Sequence, residues 1–104
     1  MIRVRFHTAN DAIVGFTLDG HAGWGASGQD IVCAAVSSAA YMTANTVTEI
    51  IGATADITVD DGYMRVMLTD KIDRCQDIFS GFQLHLEALQ DQYPKGVQLM
   101  NTEV

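Results

Sequence analysis

The segment from Asp30 to Ile51 constrains the fold of this 104-residue chain more than any other stretch. Ala34, Ala35, Ala39, Ala40 and Ala44 favour a helix, and apolar residues recur nearly all round it. A helix with no polar face is buried on more than one side. It is therefore expected between a sheet and a second helix or a second subunit. Asp30 is the expected N-cap and Gly52 the expected stop.

Strand patterns stand before and after it. Ile2, Val4 and Phe6 alternate with Arg3, Arg5 and His7, the pattern of a half-buried strand that leaves His7 solvated. Ile13, Val14, Phe16 and Leu18 predict a second strand, with Asn10-Asp11 as the turn between the two. Residues 54–59 and 63–69 are β-prone and joined by Asp60-Asp61-Gly62, a hairpin turn that accounts for its two acids. Ile72, Cys75, Phe79, Phe82, Leu86, Leu89 and Tyr93 recur at spacings of three and four, one apolar face of a second helix. His85 falls at the margin of that face. Pro94-Lys95-Gly96 stops the helix, and Val97 to Asn101 predicts a last strand. The order is ββα-ββα-β. It predicts an α+β fold, a two-layer sandwich of a largely antiparallel sheet and two long helices, in a single domain over residues 1–104.

Bulk properties narrow the function. The formal charge of −7 disfavours nucleic acid, whose phosphates require Lys and Arg, and suits basic partners. Direct nucleic-acid binding is not expected. The N-terminus MIRVRFHTAN alternates like a strand and carries no leader pattern. No apolar run reaches the ~20 residues that span a bilayer, so no membrane partner is expected. With two cysteines and no C-x-x-C motif, a cytoplasmic protein with reduced thiols is the default expectation. No metal-ligand spacing and no phosphate or dinucleotide fingerprint occurs, so neither metal nor cofactor is expected. A core this small gains from dimerisation.

The stretch GHAGWGASGQDIVCAAVSS, from Gly20 to Ser38, carries the chemistry. With Asp30 as N-cap, Cys33 lies in the first helical turn. Unpaired N–H groups and the helix dipole there favour a thiolate and an oxyanion. His21, at the end of the second strand, is placed to stabilise the thiolate and to protonate a leaving amine. The loop from Gly23 to Gly28, with Trp24 and Gly25, has the freedom to admit an extended peptide. Ser37 shares a helix face with Cys33, and Asp30 is near enough to orient an imidazole; both are supporting residues. A buried cysteine in a core helix is the competing reading. Residue types alone leave both open. Cys75 falls on the apolar stripe and reads as core.

Gly20-His21-Ala22, a short loop, then Gly28-Gln29-Asp30-Ile31-Val32-Cys33-Ala34-Ala35-Val36-Ser37 resembles the signature of the ribosomal-processing cysteine proteases, the Prp family. The whole-chain layout is similar as well. The resemblance implies a cysteine endopeptidase that removes the N-terminal extension of a large-subunit ribosomal protein, number twenty-seven, and so aids ribosome assembly. It implies Cys33 as nucleophile, His21 as its partner, a glycine loop that orders around substrate, a homodimer and a cytoplasmic location. A non-catalytic, ribosome-associated binding module of the same fold is the alternative.

Overall fold

The structure, a computed structural model, describes residues 1–20 and 27–104, with backbone alone at 27–30. The strands are β1 (Ile2–Ala9), β2 (Ala12–Gly20), β3 (Ala55–Asp60), β4 (Tyr63–Leu68) and β5 (Val97–Glu103). The helices are α1 (Ser27–Asn45) and α2 (Gln76–Gln92). Among the described residues one sheet forms, in the order β3-β4-β2-β1-β5. Neighbouring strands are antiparallel except β5, which runs parallel to β1. The expected ββα-ββα-β order and α+β architecture are the observed ones.

Local chemistry explains the hairpins. Asn10 and Asp11 both take positive φ, 51° and 65°, between the paired Ala9 and Ala12. Asn and Asp tolerate this left-handed region better than most residues, and two such residues match the twist of the strands. Gly62, with φ 67°, supplies the same freedom after Asp61.

One face of the sheet carries the core. Ile2, Val4 and Phe6 of β1 lie beside Leu18 and Phe16 of β2 and Met64 and Val66 of β4, all buried. The stripe predicted for α2 packs on them. Phe16 sits at the centre of an aromatic cluster, with ring centroids 4.9 Å from Phe82, 6.2 Å from Phe79 and 6.4 Å from Phe6. Cys75 is fully buried in the same core, as its position on the stripe implied.

Two expectations about the first helix are corrected. It begins at Ser27, one turn before Asp30. Ser27 and Asp30 have the Ser-x-x-acid spacing of a capping box, which starts a helix earlier than an Asp30 cap does. Gly28 accordingly belongs to the helix and not to the loop. The stretch Ile31–Ile51 is also long and apolar enough to cross a membrane by length and composition, contrary to the sequence reading. Its apolar residues have a nearer use, because Val32, Val36, Ala40, Ala44 and Val47 pack into the core.

The far end of the helix behaves as its sequence suggests. Thr43, Thr46 and Thr48 donate their hydroxyls to the carbonyls of Ala39, Met42 and Ala44, four residues back. Such back-bonding bends helices, and α1 widens into a π-helical stretch, Thr46–Ile51. Gly52 then takes φ 76°, and the Gly52 and Ala53 N–H groups both close on the Val47 carbonyl.

His7 also departs from expectation. On the sheet face away from the helices it is half-buried, and its Nε2 lies 2.6 Å from Thr17 Oγ1. Burial, and then the charges of Arg65 and Arg5, hold its pKa below the usual histidine value.

Phe16 is the side chain on which both layers converge. Phe16→Ala is expected to lower unfolding free energy by about 3–5 kcal/mol, the range for a fully buried phenylalanine. Urea denaturation followed by circular dichroism measures this. A loss below about 0.5 kcal/mol, the scale of a surface substitution, would mean that the cluster is not the centre of the core.

Candidate active site

Cys33, Ser37 and Tyr41 follow one another at four-residue spacing along α1, so they share a helix face. That face lies beside the core stripe of Val32, Val36 and Ala40 and turns toward the end of the sheet. There it forms one wall of a cleft of about 260 Å³. The rest is built from Ile2 of β1, Leu18 and Gly20 of β2, Val59 and Asp60 of β3, the Asp61-Gly62 turn, and Tyr63 and Met64 of β4.

Gly20 makes this convergence possible. Its N–H donates to the Gly62 carbonyl at 3.0 Å, tying the end of β2 to the β3–β4 turn. Its φ is 100°, a region other residues rarely adopt. A Cβ at this position would overlap the Met1 carbonyl oxygen. The glycine that opens the Gly-His-Ala motif is therefore required by the backbone itself.

The two thiols differ in setting. Cys33 is half-buried on the cleft wall. Cys75 is fully buried, and its thiol pKa is pushed up by burial first and by the charge of Asp70 second. The thiolate is the nucleophilic form, so access and protonation both count against Cys75.

Of the sequence-predicted residues, the structure brings Cys33 and Ser37 together on the cleft. His21, Gly23, Trp24 and Gly25 lie outside the described residues, as does the side chain of Asp30. Gly20, the residue before His21, lines the cleft. The other two histidines do not. His7 is on the opposite face of the sheet, and His85 lines a separate groove between α1 and α2 with Ala35, Met42 and Phe82. Among the described residues no His, Cys, Asp or Glu cluster suits a metal.

Two consequences of the earlier helix start follow. Cys33 lies in the second turn of α1, not the first. The N–H groups without helical partners belong to residues 27–30. The Cys33 amide lies within the helical ladder and is not one of them.

In the sequence the turn alone accounts for Asp60 and Asp61, yet both line the cleft. Only the tertiary pairing of β2 with β4 places that turn beside α1, so local sequence held no signal for it. Tyr41 and Tyr63 were likewise unmarked.

A family model described as cysteine protease Prp matches residues 1–98. The ribosomal processing cysteine protease Prp of Staphylococcus aureus is 29% identical, over 88% of this chain and 92% of the relative. The protein of that name from Bacillus subtilis is 27% identical, over 95% of this chain and 96% of the relative. A crystal structure of the S. aureus protease in complex with a covalently linked product peptide superposes with a TM-score of 0.88 at 26% identity. It covers 98% of this chain and 100% of that one.

The difference between the thiols is directly measurable. Iodoacetamide on the native protein is expected to alkylate Cys33 and to spare Cys75 until guanidinium unfolds the chain, as read by peptide mass mapping. Labelling of Cys75 first would contradict the burial described.

Proposed function

This chain belongs to the cysteine protease Prp family, and from that premise we propose that it removes the N-terminal extension of large-subunit ribosomal protein twenty-seven and so aids ribosome assembly. The observation that carries the reading is the position of Cys33 on an open cleft. Gly20, one bond from His21, stands on the opposite wall. His7 and His85 are elsewhere, which supports His21 as the histidine of the dyad.

The chemistry is as follows. The Cys33 thiolate attacks the scissile carbonyl carbon, and the carbonyl electron pair moves onto oxygen. Backbone N–H groups of the first turn of α1 meet that oxyanion. His21, holding the thiol proton, gives it to the leaving amine as the C–N bond breaks. Water then attacks the thioester, with His21 as base, and the freed acid leaves Cys33 as a thiol. Ser37 and Asp30 support the site, and the glycine loop with Gly23, Trp24 and Gly25 closes over substrate. No cofactor enters any step.

Support for a basic ribosomal substrate comes from the net charge of −7. Support for a homodimer comes from apolar side chains turned outward on both helices. Ile31, Met42 and Leu84 are 62%, 55% and 68% exposed. We place the protein in the cytoplasm, where its thiols stay reduced.

Mass spectrometry of the host's extended ribosomal protein, incubated with this chain, tests the reading. One discrete N-terminal cut is expected. Cys33→Ala should abolish it, and His21→Ala should slow it by at least about a hundredfold, the scale of general acid–base catalysis. An intact substrate beside folded, reduced protein would favour the non-catalytic binding module.

A further inference from the structure

β3 is the barest element of the sheet. On the helix-facing side Ile57 pairs with Val66 and Val59 with Met64. Val66 and Met64 are 0% and 3% exposed, whereas Ile57 and Val59 are 43% and 51% exposed. The helices thus cover β4 and stop one strand short of the edge.

The backbone of β3 is open as well. Bonded and non-bonded pairs alternate in an antiparallel ladder. Asp60 and Tyr63 close the two-residue hairpin, and the Thr69 N–H donates to the Thr54 carbonyl at 2.9 Å. Both facts place the even-numbered residues of β3 in bonds to β4. Ala55, Ile57 and Val59 therefore turn their N–H and C=O groups away from the sheet. Among the described residues no strand lies there.

This edge leads into the candidate active site, because Val59 and Asp60 line the Cys33 cleft. It is also acidic: β3 and its turn carry Asp56, Asp60 and Asp61 and no Lys or Arg. A second copy paired on the same edge would bring like charges together. A partner with basic residues would not.

We propose that β3 is the docking strand for the substrate. An extended segment adds beside β3, sets alternate apolar side chains on Ile57 and Val59, and presents basic residues to Asp60 and Asp61. From there it passes into the Cys33 cleft. This rests on the reading of that cleft as the proteolytic site.

The test uses the full chain as Cys33→Ala, so that bound peptide is not cut. The probe is a synthetic peptide spanning the cleaved junction of the host's ribosomal protein twenty-seven. Amide hydrogen exchange, read by NMR, is expected to slow at least about tenfold at Ala55, Ile57 and Val59 when peptide saturates the protein. In the active chain Ile57→Asn, at an exposed position, is expected to raise KM about tenfold with thermal stability kept, as a lost docking contact should. Cleavage of the peptide by the active chain with unchanged exchange at those amides overturns the docking strand and leaves the protease reading standing. Protection of those amides with no cleavage supports the docking strand and overturns the protease reading. Neither protection nor cleavage overturns both. Concentration-dependent protection without peptide would make a second copy the occupant and overturn the proposal.

Discussion

The backbone at Gly20 is the constraint on which the candidate site depends. β1 begins, β2 ends and the β3–β4 turn folds over at one place. They can meet there because position 20 has no side chain. Its φ is positive, and the Met1 carbonyl occupies the space a Cβ would need. The hydrogen bond to Gly62 then holds the turn against the strand end. Any larger residue must shift Met1 or break that bond. Either change would move the floor of the cleft relative to Cys33.

The first helix supplies the other wall, and its composition reflects several contacts at once. One stripe, from Val32 to Val47, belongs to the core. The next, Cys33, Ser37 and Tyr41, faces the cleft. A third, with Ala35, Ala39 and Met42, borders the groove against α2. Small residues allow such close packing on several sides. They also explain why this helix resembles a membrane span in composition while serving as the structural centre of a two-layer domain.

Much of the fold was legible because its signals are local. Alternation marked β1, the stripe from Ile72 to Tyr93 marked α2, and Asn10-Asp11, Gly52 and Gly62 marked the points where the chain turns. The sequence places the helix start one turn too late, because Asp30 is a competent N-cap residue in its own right. Alternation also identifies a face without saying whether anything covers it. Ile57 and Val59 have the pattern of core residues and stand exposed because, among the described residues, no helix reaches the sheet edge. His7 has the pattern of a solvated residue and is half-buried against Thr17. The parallel pairing of β5 with β1, and the arrival of Asp60 and Asp61 at the cleft, depend on contacts far apart in sequence. Cys33 was identifiable from its motif; the shape of the cleft around it was not.

The central claim is that peptide-bond chemistry takes place at Cys33 in this cleft. The most direct measurement is peptide mapping of the native chain after reaction with a chloromethyl ketone built on the substrate residues that precede the cut. The account predicts one adduct per chain, on Cys33, formed far more slowly in His21→Ala. An adduct on Cys75 would contradict it. So would a folded protein that the substrate-like reagent leaves unmodified while a small thiol reagent still labels Cys33.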